Sequence, residues 1–179
     1  DTTAPVIESS FRRYLDAMKR HLERHSFLMG ARPGASDFAA YGQLTQLARF
    51  DPTPMAITLA QAPRVFAWTE VMEDLSGVEP GETDWISRDA VPTTLKDLFV
   101  EMGRVYVPVM LANARAVMQG TENVETEVDE LPWVQQPFPY QAKCVHWIGE
   151  EYASLDGAAQ KAVLSVIEGT GCEQLLAYA

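Results

Sequence analysis

Apolar positions along this chain recur mostly at intervals of three and four residues, the period of helices that bury one side. Phe11, Leu15, Met18 and Leu22 form the first such stripe, with Ser9 or Ser10 as the cap expected at its start. Gly30 and Pro33 close that segment. A second helix is expected from about 34–36 to about 49, with Phe38, Tyr41, Leu44 (or Thr45) and Ala48 as its core face. The run Asp51-Pro52-Thr53-Pro54 breaks it, because proline lacks an amide donor and restricts the residue before it. A short helix then fits 55–60. Pro63 suits the first turn of another, which carries Val65, Phe66, Trp68, Val71, Met72 and Leu75, with Gly77 as its stop.

From 78 to 91 the pattern lapses into loop, with a turn at Pro80-Gly81. A long helix is expected over 92–118, its apolar side built from Leu95, Leu98, Phe99, Met102, Val105, Tyr106, Val109 and Met110. Pro108 lies inside it. The ring removes one ladder bond and meets the carbonyl of Arg104, so a kink is expected there. The period then changes to two: Val124, Thr126 and Val128 alternate with Glu125 and Glu127. Asp129-Glu130 is a turn pair and 131–134 a return, which predicts a small β-hairpin near 123–134. Helix resumes over 138–154 and 157–168, with a last turn after Gly171. There is no internal repeat. The expected fold is all-α, a helical bundle, with a body over 1–120 and a helical C-terminal extension over 121–179 packed on it.

A chain of 179 residues with 47% hydrophobic and 22% charged residues has ordinary globular composition. At this length it buries roughly 70% of its unfolded surface, enough for a core without staples. The net charge of -11 argues against nucleic acid, which needs clustered cations. Arg12, Arg13, Lys19, Arg20 and Arg24 form the one basic cluster, and their helical spacing suits a solvated face. No apolar run reaches membrane-spanning length, and no signal peptide is visible, so a cytoplasmic home is expected. The chain opens on Asp1 without an initiator Met, as expected of a processed or truncated piece. Cys144 and Cys172 have no C-x-x-C spacing and are expected to be buried structural thiols in a reducing compartment.

Few residues carry the pattern of chemistry. His21 and His25 have the i, i+4 spacing that can clamp zinc, but H-E-x-x-H is absent and no third ligand is evident, so no metal is expected. His146 reads as a helix histidine near the core. No G-x-S-x-G, G-x-x-x-x-G-K-[ST] or G-x-G-x-x-G occurs, which leaves a hydrolase or nucleotide-binding reading without a motif. The sharpest local signal is Phe27-Leu28-Met29-Gly30-Ala31-Arg32-Pro33-Gly34-Ala35-Ser36-Asp37-Phe38. Physically it is a helix start: Gly34 stands at the N-cap, and Asp37 three residues on can fold back onto the exposed amides. Ser36 is a cap candidate one register later. Farther on, Asn113 lies among apolar residues, seven past Tyr106, and a buried Asn needs partners. The bland reading is an interhelical hydrogen bond; the functional one is a kinked helix lining a pocket through Tyr106, Met110 and Asn113.

The pattern F-L-x-G-x-R-P-x-x-x-D-F, then an apolar helix, a D-P break and A-P-x-V-x-x-W, resembles the C-terminal helical domain of glutathione-transferase-like proteins. Phe27, Leu28, Gly30, Arg32, Pro33, Asp37, Phe38, Pro63, Val65 and Trp68 carry the likeness, over about 9–76. Gly34 stands where the family usually has the Ser or Thr of a capping box. The segments around Tyr106-Val107-Pro108 and Gln136–Cys144 resemble an extended tail of some bacterial members. The resemblance implies a substrate-side domain that lines the pocket of a small hydrophobic electrophile and supports a homodimer. Glutathione would be the co-substrate of the complete protein, bound by a thioredoxin-like N-terminal half that supplies the catalytic group. No alternating β/α pattern precedes Phe11, so this chain is expected to hold no catalytic residue and to bind no cofactor alone. A non-enzymatic helical binding or scaffold module with the same fold is the rival expectation.

Overall fold

The computed structural model describes residues 2–178. Its helices are α1 (Ala4–Leu22), α2 (Ala35–Leu47), α3 (Pro52–Gln61), α4 (Pro63–Glu73), α5 (Thr93–Glu101), α6 (Val107–Gln119), α7 (Pro139–Ser154), α8 (Gly157–Ile167) and α9 (Glu173–Leu176). An antiparallel hairpin, β1 (Val124–Val128) and β2 (Leu131–Gln135), is the only sheet among the described residues. Among the described residues, no helix is long and apolar enough to cross a membrane. Contacts divide the chain into two compact units, Arg12–Leu95 and the flanking segments up to Phe11 and from Lys96. Residue 120, where the pattern alone divides the chain, lies inside the second.

In the Arg12–Leu95 unit, α1 contributes Leu15, Ala17, Met18, His21 and Leu22 to the core. The buried side of α2 runs through Asp37, Leu44 and Ala48, with Tyr41 half-buried between them. Phe38, expected on that face, is exposed instead. The stripe 37-41-44-48 has the right spacing, but its first member is an acid, so the apolar pattern pointed one residue too far. Asp51 caps α3 by accepting from the Thr53 amide, and Pro52 and Pro63 occupy first-turn positions where no amide is missed. The buried side of α4 is Val65, Trp68, Thr69 and Met72; Val71 is exposed. Lys19 donates to the carbonyl of Gln61 (3.1 Å), capping the end of α3 with a cation, where the helix dipole favours one. Gly77 lies in a separate turn beyond the helix end at Glu73.

The second unit is organised on α6. Val107, Val109, Met110, Leu111, Ala112, Asn113, Ala114 and Ala116 are all buried, so the helix is covered on nearly every side, as its apolar composition requires. One cluster joins Val107, Met110, Leu111 and Ala114 to Val145, Cys172 and Leu175 of the C-terminal segment. Others join Val109 to Val6 and Val128, and Ala112 and Ala116 to Val124. The alternating valines of β1 thus face α6. Thr3 fixes the outer edge of β2: its hydroxyl donates to the Val134 carbonyl (3.2 Å) and accepts from the Val134 amide (3.4 Å). Gly120 ends α6 with φ 68°, and the Thr121 amide reaches back to Ala116.

Two expectations about helix ends are corrected. Ser9 and Ser10 do not cap α1, which starts at Ala4; both lie inside it and donate to carbonyls three residues back. The continuous helix expected over 92–118 is three pieces. Between α5 and α6 lies a π-turn, Met102–Tyr106, in which the Val107 amide bonds Met102. One extra residue in the turn places Pro108 in the first turn of α6, where its missing amide costs nothing.

The hairpin turn places two non-glycine residues, Asp129 and Glu130, at positive φ (55° and 62°). This is the conformation a two-residue hairpin loop demands, at a cost of about 1–2 kcal/mol per side chain. Asp129 gains an ion pair with Arg104, whereas Glu130 is exposed. Glu130→Gly is expected to raise unfolding stability by about 0.5–1 kcal/mol, seen as a higher urea midpoint.

Candidate functional site

The segment between α1 and α2 is held almost entirely through its backbone. Phe27 and Gly30 form a tight bridge, the Phe27 amide bonding the Gly30 carbonyl (3.0 Å). The opposite edge pairs with residues 84–86: Ala31 donates to Asp84 (2.8 Å) and Ile86 donates to Met29 (2.7 Å). Gly30 has φ 138°, and a Cβ there would lie 2.0 Å from the Asp84 carbonyl oxygen. Only glycine fits. The Arg32 guanidinium stacks 4.6 Å from the centre of the Trp85 ring and donates to the Gly81 carbonyl (3.4 Å).

Asp37 is fully buried at the start of α2. One carboxylate oxygen accepts from the Leu28 amide (2.7 Å) and the other from the Gly34 amide (2.9 Å). The N-cap is Gly34; Ser36 is exposed inside the helix and does not cap it. A capping box survives without a cap side chain because Asp37 supplies its own half, and its charge faces the positive helix end. His21, also fully buried, holds the same loop from α1. Its Nε2 faces the carbonyls of Phe27 (3.3 Å) and Leu28 (3.1 Å), which assigns the proton there, and Nδ1 accepts from the Thr94 hydroxyl (3.0 Å). Both ring nitrogens are thus in use, and the His25 ring stacks on it at 4.7 Å. Trp68 Nε1 donates to Ser26 (3.1 Å). The Tyr14 hydroxyl donates to Met18 Sδ (2.9 Å); burial, and then the negative charge of Asp37, push its pKa up, so it stays neutral.

In the other unit, Asn113 is fully buried and pairs with one peptide group: Nδ2 donates to the Phe138 carbonyl (2.9 Å) and Oδ1 accepts from the Phe138 amide (2.7 Å). It pins the start of α7, which is the bland reading of this residue, and leaves its amide no free arm. Met110 is enclosed in the core cluster. Tyr106 alone of the three candidates presents surface, 41% of it, from the last position of the π-turn. Burial of its hydroxyl, and secondarily the nearby Cys144 thiol, raise its pKa. Cys172 is buried as expected, while Cys144 is half-buried. His146 is not near the core; it is exposed and bridges to Glu150 (3.2 Å).

Sequence reasoning missed the outer face of α7. Phe138, Tyr140 and Trp147 are 53%, 58% and 42% exposed and touch in series, ring centroids 6.4 and 6.2 Å apart. Lys143 sits 4.8 Å over the Trp147 ring. The i, i+7 spacing of Tyr140 and Trp147 was the available signal.

Residues 4–70 match the family described as Glutathione S-transferase, C-terminal domain. Over that segment the chain is similar to the C-terminal helical domain of glutathione S-transferases. No curated protein and no solved structure matches the chain. Within the matched segment the motif residues act on the fold. Phe27, Val65 and Trp68 are buried, Gly30 makes the close approach, Arg32 stacks, and Asp37 clamps two amides. Asp37 and Trp68 spend their polar groups on backbone, whereas Arg32 Nε is buried without a hydrogen-bond partner.

Asp37→Ala strands two amide groups in the domain and is expected to cost about 3–5 kcal/mol of unfolding stability; chemical denaturation reads this directly. Asp37→Asn, which keeps one acceptor, is expected to lose less.

Burial, then His25, hold the pKa of His21 below 6.5. The unfolded chain therefore binds a proton at a higher pH than the folded one. Stability is full above 6.5 and falls as the pH drops through that value towards the folded pKa. Thermal melts across this range are expected to show the loss, and His21→Gln to flatten it.

Proposed function

We propose that this chain is the substrate-side helical domain of a glutathione-transferase-like protein. It lines the pocket of a small hydrophobic electrophile and supports a homodimer, and it is not catalytic alone. A thioredoxin-like domain binds glutathione, lowers the pKa of its thiol and presents the thiolate for attack. The observation that carries this reading is the likeness over 4–70 to the transferase C-terminal domain, with the Asp37 carboxylate at its centre consumed by two backbone amides. A domain whose signature residues only hold backbone shapes a site rather than performing the chemistry. The setting is cytoplasmic, in keeping with two free thiols.

Tyr106 is the proposed contact with the electrophile, because its ring is exposed at a helix interruption and its hydroxyl stays protonated. Met110 and Asn113 support it from the core side. In the complete transferase, Tyr106→Ala is expected to raise KM for an aromatic electrophile about tenfold, as loss of a ring contact would, with little change in kcat. An unchanged KM would remove Tyr106 from the site.

The α7 face favours a second reading, a non-enzymatic binding module. Three exposed aromatic rings in series are unusual on a free surface. Full conjugation activity of the complete protein after Trp147→Ser and Tyr140→Ser together separates such a docking role from the substrate role.

A further inference from the structure

The π-turn is gripped by the C-terminal segment. Gly103 lies against the backbone of residues 170–171: a Cβ on Gly103 would stand 1.8 Å from the Thr170 carbonyl oxygen, and one on Gly171 3.1 Å from Gly103 Cα. Gly171 itself has φ 89°, so both glycines are required for the approach. Beyond this contact the Cys172 thiol donates to the Phe99 carbonyl (3.2 Å). In an uninterrupted α-helix that carbonyl pairs with the Gly103 amide, Gly103 N–H to Phe99 C=O. The thiol thus bonds the carbonyl member of that pair, at the point where the helix widens. A side chain inserted in the ladder is one of the few causes of such an interruption.

The segment that inserts it is itself locked. The Thr170 hydroxyl donates to the Ile167 carbonyl (2.6 Å) and accepts from the Cys172 amide (3.3 Å), while the Gly171 amide donates to the Glu173 carboxylate (2.9 Å). Cys172 is also part of the buried cluster with Val107 and Met110, which brackets the turn from the α6 side. Pro108 already disfavours closing the turn into α-helix. The C-terminal clamp decides which of the remaining arrangements the five residues adopt.

We propose that the clamp formed by Thr170, Gly171 and Cys172 positions Tyr106, by holding the π-turn that presents its ring. Cys172 is thus a positioning residue, one that touches no reactant, and the C-terminal segment sets the geometry of the electrophile side. Its relevance to substrate rests on the role assigned to Tyr106 above; the structural coupling does not.

The test compares Cys172→Val, which keeps bulk and loses the hydrogen bond to the Phe99 carbonyl, with Cys172→Ser, which keeps a donor. Fluorine NMR of 3-fluorotyrosine-labelled chain reads the Tyr106 environment, with the resonance assigned through Tyr106→Phe. Amide exchange reads Gly103. The Val variant is expected to move the Tyr106 resonance while leaving Tyr14, Tyr41, Tyr140 and Tyr152 in place (Tyr178 packs on the same cluster as Cys172 and responds to either outcome) and to speed Gly103 exchange about tenfold, with the Ser variant restoring both. An unmoved resonance with unchanged exchange overturns the proposal. So does a common shift of all tyrosine resonances, or unfolding of the Val variant, since either makes Cys172 a general core residue. If the clamp is upheld while Tyr106→Ala leaves KM unchanged, the positioning survives and the substrate role falls.

Discussion

The fold of the Arg12–Leu95 unit depends on the burial of one charge. A carboxylate removed from water costs several kcal/mol unless donors replace its hydration. Asp37 finds them in the amides of Leu28 and Gly34 and in the N-terminal end of its own helix. That arrangement is possible only if the chain between α1 and α2 doubles back tightly, which Gly30 permits against the Asp84 carbonyl. His21 and Trp68 then take up the loop's carbonyls from α1 and α4. Three helices are thereby referred to one loop, and the apolar core of Leu15, Met18, Leu44 and Val65 fills in around it.

This arrangement explains why the most recognisable residues are chemically silent. A side chain whose donors and acceptors are spent inside the fold has little to offer a substrate; Asp37 and Asn113 are paired with backbone, and His21 with two carbonyls and the Thr94 hydroxyl. Family likeness follows the loop, so it reports architecture. The groups that keep surface are Tyr106 at the π-turn and the aromatic series on α7, which is why the proposed roles rest on them. A shared fold fixes neither outcome.

What could be read in the sequence was what depends on neighbours along the chain. Gly30, Asp37, Pro52 and Pro63 act within a few residues of themselves, so their signals survive without coordinates. The hairpin was equally legible, since Val124 and Val128 alternate and Asp129-Glu130 marks the turn. The register of α2 was not, because its buried stripe begins with an acid and the nearby Phe38 fits an apolar pattern better. The start of α1 was misplaced because Ser9 and Ser10 look like caps yet turn their hydroxyls back into the helix. Pro108 announced an interruption without its form. A kink and a π-turn begin from the same clash, and the choice is tied to Gly103, Thr170 and Cys172, more than sixty residues apart in sequence. Asn113 likewise declared that it needed a partner, but Phe138 lies 25 residues on.

The central claim is a division of labour, with the helical chain shaping the electrophile side and another domain binding glutathione. Calorimetric titration of glutathione into the 179-residue chain, beside the product of the whole gene, tests it most directly. The account predicts heat of binding with the whole product and none with the chain by itself. Saturable binding of glutathione to the chain alone, or none to the whole product, would contradict it.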